Sequence, residues 1–109
     1  MLRWLRKLFP PAAEPAAAGA PQIDAWMREA YGLHRAGRVA DAEDRYRRIL
    51  RARPDNVDAL YLLGEIANRS ARYELAIDLL SRAIAAKGDV AVFHGELGVA
   101  CQETRGLER

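Results

Sequence analysis

From residue 23 onward, apolar side chains return every three or four positions, the spacing of a helix that buries one side. Ile23, Trp26, Ala30 and Leu33 form a first stripe, and Gly37 stops it by supplying a left-handed residue at the helix end. Ala42, Tyr46, Ile49 and Leu50 predict a second helix from about Val39 to Arg53. Pro54 ends that helix, and Asp55 and Asn56 offer a side-chain oxygen to cap the next one. Leu60, Leu63, Gly64 and Ala67 then mark a third stripe, and Ala76, Leu80, Ala83 and Ile84 a fourth. A further helix opens at Ala91 with Phe93, Leu97, Gly98 and Cys101, and Arg109 is reached before a partner helix follows.

The stripes repeat. Residues 23 to 56, shifted by 34, fall on residues 57 to 90 with nine identities and no gap. Among them are Asp24/Asp58, Arg35/Arg69, Arg38/Arg72, Ala42/Ala76, Arg48/Arg82 and Asp55/Asp89. A 34-residue period made of helices predicts stacked helical hairpins, each too small to bury its own apolar face. Where the first unit has Gly37 the second has Ala71, and a left-handed non-glycine residue costs about 1 kcal/mol. That turn is expected to be either strained or built differently.

These positions resemble the tetratricopeptide repeat. Trp26, Ala30, Gly37, Ala42, Tyr46 and Pro54 occupy its characteristic places in the first unit, and Leu60, Leu63, Gly64, Ala76, Leu80 and Ala83 do so in the second. Leu97 and Gly98 begin a third. Glu29 departs from the pattern, which prefers Leu, and Gly106 falls one residue late for a turn glycine. The resemblance implies an all-α array of about two and a half hairpins, with repeats at 23–56, 57–90 and 91–109 behind a separate segment, 1–22. The small residues Ala30, Gly64 and Gly98, with Ala42 and Ala76 opposite, are expected to let paired helices approach closely.

The resemblance also implies a concave groove lined by the first helix of each hairpin. Counting along those helices, the partner-binding candidates are Met27, Arg28, Tyr31, His34 and Arg35, then Tyr61, Leu62, Glu65, Asn68 and Arg69, and Asp24, Asp58, Val92 and Glu96 are expected to face the groove with them. Met27, Tyr31 and Tyr61 are the candidate anchors, because Met and aromatic side chains combine large area with adaptability. Two specialised grooves do not fit. The clamp that holds a C-terminal carboxylate with two Lys, two Asn and an Arg would fall on Met27, Tyr31, Leu62, Val92 and Glu96. An asparagine ladder would fall on Arg28, Leu62 and Glu96.

Outside the repeats, Arg3, Arg6 and Lys7 sit opposite Leu2, Leu5, Leu8 and Phe9 in a nine-residue tip without acids. Removing those bases leaves 14 basic against 15 acidic residues, so the pI near 9.0 belongs to the tip and the body lacks the basic surface of a nucleic-acid binder. Weak contact of residues 1–9 with a membrane surface and packing of the tip on the first repeat are both open readings. Residues 10–22 hold four of the five prolines and read as a semi-extended linker. Arg45, Arg47, Arg48, Arg51 and Arg53 read as a solvated convex face, with Asp41 and Asp44 as partners for Arg45 and Arg48. One cysteine, Cys101, allows no internal disulfide and suits a reducing compartment or indifference to redox state; the expected setting is cytoplasmic, with peripheral contact at the inner membrane surface as the open alternative.

No catalytic constellation, metal-ligand spacing or phosphate-binding glycine loop is present in the sequence, and His34 and His94 read as packing or surface positions. The expectation is a non-catalytic module that binds a protein or peptide without a cofactor. The alternative is the repeat region of a larger bacterial glycosyltransferase or methyltransferase. Leu97, Val99 and Cys101, left without a following helix, predict self-association through the C-terminal end.

Overall fold

The computed structural model describes residues 19–87 and 90–108, so the basic tip and most of the expected linker lie outside the described residues. Within them are five helices and no strand: α1 (Ala20–Arg35), α2 (Val39–Ala52), α3 (Val57–Arg69), α4 (Tyr73–Ala86) and α5 (Ala91–Glu108). α1 packs on α2 and α3 on α4 as hairpins, α2 joins the hairpins through α3, and α5 lies against both α4 and α3. This is the expected all-α array. No described helix is long and apolar enough to cross a membrane.

α1 begins three residues before the expected Ile23. Gly19 is extended at its N-cap and Pro21 sits in its first turn, where a fixed φ and a missing N–H do no harm. Residues 20–22 are therefore helix rather than linker. At the next boundary Asn56, not Asp55, supplies the cap: its Oδ1 accepts from the Ala59 N–H at 2.9 Å.

The two hairpin turns have one backbone and different residues. In the first, Ala36 N–H donates to Gly32 O at 3.0 Å, Gly37 N–H to His34 O at 3.1 Å and Arg38 N–H to Leu33 O at 2.9 Å. In the second, Ser70 donates to Ile66 at 3.0 Å, Ala71 to Asn68 at 3.1 Å and Arg72 to Ala67 at 2.8 Å, every partner displaced by 34. Gly37 has φ +84° and Ala71 φ +61°, so the alanine accepts the left-handed conformation and its strain. Neighbours secure it: Ser70 Oγ donates to Ile66 O at 2.9 Å and accepts from Arg72 Nε at 2.9 Å. Arg72 also pairs with Glu43 of α2, which ties the second turn to the first hairpin.

Close approach is sharpest between α3 and α4. A Cβ placed on Gly64 would lie 2.8 Å from Leu80 Cγ, and Leu80 is fully buried. Ala30, Ala42 and Ala76 are likewise fully buried. Gly98 does not follow them. It is exposed, and a Cβ there would meet nothing within 4 Å, because no described helix covers that side of α5. α5 also runs through Arg105, the position matching Gly37 and Ala71, and through Gly106 without turning. Of the three α5 residues expected to be uncovered, Val99 is exposed, while Leu97 and Cys101 are half-buried and Leu97 packs beside Ala76 and Leu80.

Glu29 now has a reason. Its counterpart in the second unit is Leu63, and the counterpart of its partner Arg45 is Leu79; the two leucines are each 3% exposed, whereas Arg45 Nε bonds Glu29 Oε1 at the surface. The same two positions carry an apolar contact inside the stack and an ion pair on its outer side. The expected helical partners of the arginines are thereby corrected: Asp41 pairs with Arg38, and Arg48 lies 4.1 Å from the Trp26 ring centroid. Both α2 arginines reach α1 because their side chains find a partner there that also covers apolar surface.

Two outcomes test these contacts. Gly64→Ala is expected to destabilise the chain by about 1–3 kcal/mol, and to cost far less, or stabilise, in a Leu80→Ala background, as a double-mutant cycle by urea denaturation would read out. Ala71→Gly is expected to be neutral or to raise stability by up to about 1 kcal/mol, whereas Gly37→Ala lowers it by about 1 kcal/mol.

Candidate functional site

The first helices of the hairpins, α1, α3 and α5, carry all the groove candidates, and the structure sorts these into a fixed floor and an exposed rim. Tyr31 is 46% exposed. Its ring meets His34 edge-on with centroids 6.3 Å apart, and the Arg35 guanidinium stands 6.0 Å from its centroid. Arg28, Arg69, Asp24 and Asp58 are exposed, Met27 is half-buried, and Val92 is 47% exposed at the start of α5.

The other candidates are engaged. Tyr61 is half-buried: its ring packs on Phe93 of α5 at 5.1 Å, and its hydroxyl donates to Glu65 Oε2 at 3.1 Å. It is an anchor between helices rather than a free side chain. Leu62 is half-buried against the main core. Asn68 is 8% exposed, and its Nδ2 donates to Glu96 O at 3.0 Å and to Glu96 Oε2 at 2.8 Å. Two acceptors on one nitrogen fix the amide's orientation, and Asn68 Oδ1 is buried with no hydrogen-bond partner among the described residues.

Beneath Tyr31 lies a residue that the stripe pattern marks only as core. Tyr46 of α2 is fully buried, and its hydroxyl shares a 3.3 Å hydrogen bond with His34 Nδ1. With Nδ1 unprotonated the hydroxyl donates. Burial pushes the Tyr46 phenol up to about 12, helped by Tyr31 and Glu65 nearby. Burial also takes Tyr61 up to about 12, reinforced by the charge and hydrogen bond of Glu65 and by Glu96, and opposed by Arg69. Glu65, close to both phenols and paired with Arg69 at 4.0 Å, is the electrostatic centre of the floor. Nothing local to Glu65, Tyr46 or Phe93 in the sequence announces this meeting, since it depends on the register of three helices.

At one edge the floor opens into matching recesses. One of about 260 Å³ is lined by Ile23, Asp24 and Arg53 among others, and one of about 480 Å³ by Val57, Asp58, Lys87 and Tyr61. The first three residues of each set correspond at the 34-residue offset, so an acid and a base face each junction between hairpins. The arrangement offers an aromatic ring, guanidinium groups and carboxylates along a preformed surface.

Both phenols ionise near 10 when exposed in the unfolded chain and near 12 when folded. Above pH 10 the unfolded chain has lost protons that the folded one retains, so the stability they contribute is complete below pH 10 and vanishes as the pH rises toward 12. The expected outcome is a melting temperature that falls across that window together with a rise in tyrosinate absorbance, and a shallower fall for Tyr46→Phe.

A family model described as tetratricopeptide repeat matches residues 23–91. No curated protein matches the chain.

Proposed function

Because this chain belongs to the tetratricopeptide repeat family, whose members generally act in protein–protein interaction, we propose that it binds an extended segment of a partner protein along the α1–α3–α5 face. The observation that carries this reading is Tyr31. A tyrosine nearly half in water, backed by His34 and flanked by Arg35, is held in place on a rigid helix and has little freedom left to lose on binding. Around it, the Asn68–Glu96 and Tyr61–Glu65 bonds keep the floor assembled before a partner arrives. The rim bases Arg28, Arg35 and Arg69 favour a partner segment that carries carboxylates. The role is docking, without a chemical step.

Affinity capture followed by direct titration tests it. Tyr31→Ala/Arg35→Ala is expected to fold and to weaken partner binding by about tenfold or more, whereas Arg47→Ala/Arg51→Ala on α2 leaves binding unchanged. A partner retained by the first variant and lost by the second would place the interaction on the opposite face and discard the proposal.

A further inference from the structure

The 34-residue register places the same set of positions together in each unit, at the start of its first helix and the end of its second. In the second unit Pro54, Val57, Leu60, Arg82, Ala85 and Ala86 line an open recess of about 860 Å³. Their counterparts in the first unit include Ile23, Trp26, Arg48 and Ala52. There the Arg48 guanidinium stands 4.1 Å from the Trp26 ring centroid, and the indole is 9% exposed. The second unit keeps the guanidinium and lacks the indole. Leu60, in the place of Trp26, is fully buried, and no ring stands over Arg82 among the described residues. Arg82 is held in position all the same: its Nη2 donates to Pro54 O at 3.1 Å, and its Nη1 lies 3.6 Å from Asp78 Oδ2. Ala52 is buried, whereas its counterpart Ala86 is exposed.

Besides Trp26 the sequence holds one tryptophan, Trp4. We propose that the Trp4 indole of the same chain seats in this recess against Arg82, as Trp26 does against Arg48. Tryptophan is the strongest ring partner for a guanidinium. Reach allows the contact: nine residues, 10–18, separate Phe9 from Gly19 and extend to about 30 Å. Asp55 lines both this recess and the one lined by Ala20, so α1 begins beside the proposed seat. Charge favours it as well. Asp55 lines the recess and Asp78 pairs with Arg82, two acids to one base, while Arg3, Arg6 and Lys7 surround Trp4 without an acid. Arg53 and Lys87 line the neighbouring recesses instead. One ring on one guanidinium is a weak contact between separate molecules, but a short tether holds the indole at millimolar effective concentration. The occupant is therefore the chain's own tip and not that of a second copy.

None of the lining residues is a groove candidate, so the test is independent of the docking reading. Trp4 fluorescence, taken as the difference between the full chain and its Trp4→Phe variant, is expected to be blue-shifted and shielded from acrylamide. Ala86→Arg, at an exposed position, is expected to keep its helical circular dichroism and melting temperature while Trp4 takes on solvent-like emission and quenching. In a Cys101→Ala background, Leu5→Cys is expected to form an internal disulfide with Ala85→Cys about tenfold faster than with Arg51→Cys, the counterpart position in the unit whose space is already filled. Trp4→Ala is expected to erase that difference. Solvent-like Trp4 emission in the unaltered chain, equal rates at residues 85 and 51, or disulfides that link two chains would each overturn the proposal.

Discussion

The architecture depends on how near two helical backbones can come. At Gly64 the answer is set by a missing methyl group: α3 sits so close to α4 that Leu80 Cγ occupies the space where a Cβ would project. Ala30, Ala42 and Ala76 play similar parts elsewhere and are completely buried. Large residues then fill the volume between the close contacts. Tyr46, Ile49, Leu60 and Leu80 are the largest fully buried side chains, one or more on each of α2, α3 and α4. The main core draws residues from all five helices, and a smaller one of Ala67, Ala76, Leu80 and Ala100 joins it through Tyr61 and Leu75, which pack on both. No single hairpin contains a core, so hairpin and stack are stable together.

What repeats at 34 residues is the backbone more faithfully than the side chains. The three hydrogen bonds of each turn match pair by pair although Gly37 is replaced by Ala71. The array geometry demands the left-handed residue, and the alanine conforms. Conversely, where the surroundings differ the chemistry changes while the backbone stays: Glu29 and Arg45 replace Leu63 and Leu79 because one pair faces water and the other is enclosed between helices. Position in the stack decides which kind of contact a given register place makes.

This explains what could be read in advance. Helix spacing, the turn at Gly37, the stop at Pro54 and the cap at Asn56 are local, and a stripe of apolar residues states them within one or two turns. The helix start at Ala20 was hidden because alanine and proline in a low-complexity run read as linker until the N-terminal half of α1 is seen to pack. Contacts that join elements were not legible. Asn68 meets Glu96 across 28 residues and Glu29 meets Arg45 across 16, so each depends on helix register that no periodicity specifies. The same holds for the groove. Sequence treats Tyr31 and Tyr61 as equivalent candidate anchors, and only the docking of Phe93 on Tyr61 separates them.

That separation bears on how such a face can work. Had both tyrosines been free, a partner would have to order two side chains and settle the glutamates beside them. Here Tyr61, Glu65, Asn68 and Glu96 are already bonded into one surface, and their polar atoms are largely satisfied before anything docks. The ordering has been done in folding, so whatever docks on this face would not have to supply it.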